Sequence, residues 1–216
     1  MTFVGAVMGL LGLFSVLDWH TNAFNWICLS YDWPFVGYNE SLALFLSGMG
    51  FLVAASSRFN GPRRIGWVIL AFGFVALLQF LFHQDLWIDR PLLPFMISKP
   101  LLGTRISPNS ALCFLLLGAA FVIAESPRRR FSILVGVLGT ILFAVSMCAA
   151  FGLIAGAGVA YHWGSHPPFA AQSAFAFSAA GLGAIAYAWR LGLGWERVGI
   201  WWIPLQAGFG LTAFAI

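Results

Sequence analysis

Seven long apolar runs, at about residues 2–17, 41–57, 65–82, 107–124, 131–158, 169–189 and 198–216, occupy most of this chain. Most approach the roughly 20 residues that a helix needs to cross about 30 Å of hydrocarbon. In lipid an unpaired backbone N–H or C=O finds no water, so a crossing segment must be a helix or a strand of a closed barrel. Uninterrupted apolar runs without a two-residue alternation exclude the barrel. Charged residues make up only 8% of the chain against 61% hydrophobic ones, with mean hydropathy +0.89. A soluble fold carries roughly 25% charged residues. The expectation is an all-α, polytopic membrane helical bundle of about seven transmembrane helices, forming a single domain over residues 1–216. The first run lacks a basic flank and a small-residue cleavage site before Asp18, so it reads as a helix rather than a signal peptide.

The connections between these runs alternate in character. Arg58, Arg63 and Arg64, then Arg128, Arg129 and Arg130, then Arg190 and Arg197 fall in every second connection. The other connections hold Arg90, Lys99 and Arg105 together with all four histidines, His20, His83, His162 and His166. Basic residues concentrate on the cytoplasmic side of membrane proteins. This predicts a bacterial inner membrane protein with a cytoplasmic N-terminus and histidines at the outer face. Asp18, Asp32, Glu40, Asp85 and Asp89 are read as outer-side acids, with Glu125 and Glu196 inside. The net charge of +4 follows from arginines at one membrane surface and implies no nucleic-acid partner. The lipid bilayer is the expected partner, with a homodimer or neighbouring membrane subunits as further candidates.

A ten-residue pattern recurs three times: NESLALFLSG at 39–48, NSALCFLLLG at 109–118 and QSAFAFSAAG at 172–181. An amide side chain opens each copy and a glycine closes it. Each also follows a proline, Pro34, Pro108 or Pro168, a residue favoured at helix starts. Ser107 is the expected N-cap of the fourth helix. The recurrence predicts hairpins over 1–60, 61–127 and 128–195, followed by a seventh helix at 198–216. Chance recurrence of Ala, Leu, Phe and Gly in a membrane protein is the alternative. Small residues such as Gly5 and Gly9 let helix backbones approach closely in lipid. The ten tryptophans, Trp19 and Trp67 among them, read as two interfacial belts.

The candidate chemistry gathers at the histidine-bearing face. Imidazole and carboxylate ligate metals, and His83, His162 and His166 come from different helix ends, although their spacing is no known metal signature. Metal or haem at these histidines stands beside hydrogen bonding to loops and proton sensing as possible roles. Asn39, Asn109, Gln172, Gln79 and Gln206 should turn inward and find partners, either as structural hydrogen bonds or around a shallow ligand pocket. No ionisable residue falls in the middle of an apolar run, which disfavours an ion-coupled transporter. The only lysine, Lys99, lies in a connection, which excludes a retinal Schiff base. Cys28, Cys113 and Cys148 form no CxxC pair. No P-loop, GxSxG, HExxH or kinase motif occurs, so no enzymatic activity is expected within these residues.

The segments HQDLWID at 83–89 and TRISPNSALCFLLLG at 104–118 resemble the multi-pass N-terminal membrane sensor region of bacterial sensor histidine kinases and diguanylate cyclases. There an H-x-D-L-x-I-D segment precedes R-M-x-P-N-T-A-L-C-F-L-L-L-G. Ile106 and Ser110 depart mildly from that pattern, and the similarity loosens through the seventh run. The resemblance implies a sensory input module for signal transduction, of the two-component kind, with any kinase or cyclase activity in a domain beyond Ile216. The residues expected to receive the stimulus are His83, Asp85, Asp89, Arg105, Asn109 and Gln172, the ligand being unspecified. A structural or cofactor-binding subunit of a respiratory or photosynthetic membrane complex is the alternative, with histidines as haem or pigment ligands.

Overall fold

The computed structural model describes residues 1–21, 36–56, 61–83, 86, 88, 106–126, 129–158 and 168–191. Among these, all regular structure is helical: α1 (Thr2–Thr21), α2 (Tyr38–Ser56), α3 (Gly61–Phe82), α4 (Pro108–Ala124), α5 (Arg129–Ala155) and α6 (Ala171–Leu191). Five of them are long and apolar enough to cross a membrane, and α4, at 17 residues, is the shorter apolar member. The chain is thus a bundle of apolar helices suited to a bilayer. The expected seventh helix at 198–216 lies outside the described residues.

Each helix packs first on its sequence neighbour: α1 on α2, α3 on α4, α5 on α6. Secondary contacts of α2 with α3, α4 with α5 and α6 with α1 close a ring, and α2, α4 and α6 also touch one another. Burial shows which helices lie inside. Over their most apolar windows α2 and α6 are each 56% buried, against 28% for α1 and for α3. The outer helices turn Phe3, Leu10, Phe74 and Leu134 outward, as lipid-facing surfaces do.

Glycine explains why the pairs form. A Cβ on Gly48 would stand 2.3 Å from Gly9 N, on Gly118 2.4 Å from Leu70 N, and on Gly181 2.7 Å from Phe143 N. All three glycines close the recurrent ten-residue pattern, so the same position makes the same backbone approach in each pair. A second seam follows the same register. A Cβ on Gly12 would meet Phe45 N at 2.3 Å, and one on Gly73 would meet Leu115 N at 2.6 Å. At the corresponding place in the third pair stand Ser146 and Ser178, whose hydroxyls bond at 3.1 Å. Without a hydrophobic driving force between helices in lipid, such close van der Waals seams and interhelical hydrogen bonds hold the pairs.

The inner helices stack in layers that follow the repeat. Leu44, Phe114 and Phe177 occupy one register, and Phe51, Phe121 and Ala184 a deeper one; all are buried. Phe114 meets Phe177 edge-on at 4.8 Å between centroids, and Phe51 meets Phe121 at 4.9 Å. Edge-to-face contacts of this kind add about 0.5–1.5 kcal/mol beyond area burial.

Three details depart from the sequence reading. Helix α1 runs on to Thr21, past the apolar run that ends at 17, so Asp18, Trp19 and His20 stand within the helix rather than in the connection. Helix α2 begins at Tyr38, three residues before the apolar run at 41, because Gly37 O accepts both the backbone N–H and the hydroxyl of Ser41 at 2.9 Å. Trp19, read as an interfacial residue, is 6% exposed and donates from Nε1 to Val36 O at 3.0 Å. It fastens the end of α1 to the start of α2. Trp67 and Trp189 face outward as expected.

Candidate functional site at the histidine-bearing end

The earlier start of α2 brings Glu40 into its first turn, where it is 3% exposed. The sequence reading grouped it with the outer connection acids. Burial of a carboxyl group among apolar helices is costly unless hydrogen bonds compensate, and here they do. Ser110 of α4 donates to Glu40 Oε1 at 2.5 Å, and Ser173 of α6 donates to the same oxygen at 2.6 Å. Three helices therefore meet at one atom. Ser107, the N-cap of α4 with extended backbone (φ −71°, ψ 148°), accepts from Ser110 N at 3.0 Å and donates its own hydroxyl to Ser110 Oγ at 2.9 Å. Its capping role is the one expected from the sequence. A continuous chain of hydroxyls thus leads from the entrance of α4 to the carboxyl group. Cys113, one turn deeper on α4, is buried and within electrostatic reach of Glu40.

Glu40, Ser110 and Ser173 each follow the opening amide of the recurrent pattern, so the three copies converge at equivalent positions. The amides themselves line the rim of this layer. Asn39 donates from Nδ2 to Ile88 O at 2.5 Å, and Gln79 of α3 accepts from Leu86 N at 3.0 Å. These two bonds hold points in the stretch that follows α3 down against the bundle. Ile88 also packs on the small cluster of Ala76, Ile106 and Ala111. Asn109 is 5% exposed. Gln172 is half-buried, and its Oε1 atom is buried with no hydrogen-bond partner among the described residues.

Of the histidines, His20 closes α1, its Nε2 3.2 Å from the Tyr38 hydroxyl and its ring edge-on to the tyrosine at 5.5 Å. His83 is exposed just beyond α3, with φ 54°. That left-handed conformation is a common way to end a helix, though glycine usually supplies it. Asp85, Asp89, Arg105, His162 and His166 lie outside the described residues. Among the described residues no three His, Cys, Asp or Glu side chains gather as a metal would require. Asn109 and Gln172 are brought to one layer through their serine neighbours, whereas His83 sits at the exposed margin.

At the opposite end the polar contacts are of another kind. Glu125, which follows α4, accepts from Arg63 N in the first turn of α3 at 3.0 Å. Arg190 of α6 donates from Nη1 to Ala54 O at 3.2 Å and Ala55 O at 3.0 Å. Acid caps a helix start and base caps a helix end, each complementing the local backbone dipole. No protein family, curated protein or solved structure matches this chain.

Proposed function

We propose that this chain is the membrane-embedded sensory input module of a bacterial signalling protein, receiving its stimulus at the histidine-bearing face. In this reading it lies in the bacterial inner membrane with a cytoplasmic N-terminus and a seventh crossing at 198–216. One observation carries the reading. The layer at which Glu40 receives Ser110 and Ser173 joins the three inner helices at a single end of the bundle. A stimulus acts on a protein through its different affinity for two arrangements, and a layer that ties three long helices is where a local change would reach the opposite surface. The resemblance of residues 83–118 to bacterial sensor regions supports the same conclusion. His83, Asp85, Asp89, Arg105, Asn109 and Gln172 would form the receiving rim, with His83, His162 and His166 as its metal-ligating candidates.

A chimera tests this directly. Residues 1–216, followed by one added crossing, would carry a cytoplasmic diguanylate cyclase domain, and cyclic-di-GMP would be measured while external metals, pH and small anions are varied. The expected result is output that follows one of these conditions and loses that dependence in Asn109→Ala, with membrane insertion unchanged. Constant output under every condition would overturn the reading. The competing assignment, a subunit of a respiratory or photosynthetic complex, draws on the broad apolar outer faces bearing Phe3, Trp67 and Phe82. A visible absorption band or foreign subunits in the purified protein would support that assignment instead.

A further inference from the structure

We propose that Glu40 is a clamp on the inner helices: its carboxyl oxygen gathers their starting ends, and release of that oxygen is the movement by which the histidine-bearing end opens. The proposal rests on the sensory reading only for what such a movement reports.

The clamp follows from where the three helices begin. Glu40 is the third residue of α2, Ser110 the third of α4 and Ser173 the third of α6. Each helix start carries the equivalent of roughly half a positive charge from its aligned peptide dipoles. One carboxyl group thus sits where three positive ends converge. Both hydroxyl donors approach the same oxygen, at 2.5 and 2.6 Å. An O–H donor to an ionised carboxylate lies at about 2.5–2.7 Å, whereas a neutral pair centres near about 2.7–2.8 Å. The contacts are therefore short hydrogen bonds, at the end of the range where charge-assisted pairs fall. The other two copies of the repeat carry serine at this register, so this device depends on one glutamate serving three helices.

The clamp is also connected outward. Ser107 donates to Ser110, which donates to Glu40, so a displacement at the entrance of α4 reaches the carboxyl group through two hydroxyls. Asn39, the residue before Glu40, holds Ile88 O. Both routes begin in or beside the stretch between α3 and α4. Deeper in the bundle the inner helices are held by apolar contacts, Phe114 on Phe177 and Phe51 on Phe121, which need no charge. Opening is therefore confined to the polar layer, with the aromatic layers acting as its hinge.

Distances between spin labels in lipid nanodiscs test the clamp. Cys28, Cys113 and Cys148 are replaced by alanine, and labels are placed pairwise at Leu42, Leu112 and Phe175, which share one register at the histidine-bearing end. A reference set at Val53, Ile123 and Ala186 reports the opposite end. In Glu40→Ser the first set should broaden and move apart by about 1–2 Å, the scale of helix shifts in packed switching elements, while the reference set stays unchanged. Ser110→Ala should displace only the α4 label and Ser173→Ala only the α6 label, which keeps the test alive if Glu40→Ser does not fold. Unchanged distances, or equal loosening at both ends, would overturn the clamp. If the distances respond and the cyclase chimera does not, the sensory reading fails and the clamp stands.

Discussion

The two ends of the bundle solve the same electrostatic problem in opposite ways. At the arginine-bearing end, Glu125 and Arg190 each bridge two helices from partly exposed positions, one at the start of α3 and the other at the end of α2. At the histidine-bearing end a single buried carboxyl group serves α2, α4 and α6 together. The first arrangement is pairwise and solvent-screened, so either contact can break without disturbing the other. The second is shared and buried, so loss of the one acceptor frees both donors at once. A bundle built this way is tied at one end and hinged below it.

Breaking that contrast should have its largest effect at Glu40. Glu40→Ala removes two short buried hydrogen bonds and leaves Ser110 and Ser173 without their acceptor, at about 1–3 kcal/mol each. A loss of about 2–5 kcal/mol is expected in denaturation of the detergent-solubilised protein. A loss below about 1 kcal/mol, the usual range for a surface contact, would show that the two ends are equivalent after all.

Next come the donors. Ser110→Ala and Ser173→Ala should each cost about 1–3 kcal/mol, and because they share one oxygen the double variant should depart from the sum. Groups in one network show coupling of about 0.5–3 kcal/mol. Additivity within a few tenths would mean that the hydroxyls act separately.

At the other end the effects should be small and salt-dependent. Arg190→Ala should cost about 0.3–1 kcal/mol, a difference that shrinks as ionic strength rises because exposed charges are screened over about 10 Å at 0.1 M salt. The effect of Glu40→Ala should be the same at low and high salt. Smallest of all, Glu125→Gln keeps an acceptor for Arg63 N and loses only the charge, about 0.3 kcal/mol. The comparison fails if this change rivals Ser110→Ala.

Much of the architecture could be read from residues. The apolar runs mark the helices, Ser107 before Pro108 marks the start of α4, and the amide-to-glycine spacing marks the positions where helix backbones touch. Those are local signals, carried by composition and short spacing. The burial of Glu40 is not legible in its own neighbourhood, because its environment is built by residues 70 and 133 positions away. Its position beside an apolar run also resembles that of any connection acid. The signal that would have found it was present: aligning the three copies sets Glu40 in register with Ser110 and Ser173. A lone acid at the register of two small hydroxyls, on helices expected to meet, is a candidate buried carboxyl group. Trp19 misled for a related reason, since an indole near a helix end suits either a membrane interface or a partner carbonyl across the bundle.

The hydroxyl bridge between Ser146 and Ser178 has a consequence for assembly. Three pairs with near-identical glycine seams invite exchange of single helices, since α1, α3 and α5 offer similar seam faces to α2, α4 and α6. Breaking the symmetry of a bundle specifies one order of pieces over its permutations. The third pair has a serine bridge where the first two have bare glycine backbone, and the first alone carries the carboxyl group. The third pair is thereby labelled at one position: α1 or α3 against α6 would set Ser178 against Gly12 or Gly73, and α2 or α4 against α5 would set Ser146 against Phe45 or Leu115. The bridge helps to hold the third pair together. It also makes the native partner of α5 and of α6 distinguishable from the wrong helices while the chain is still entering the membrane.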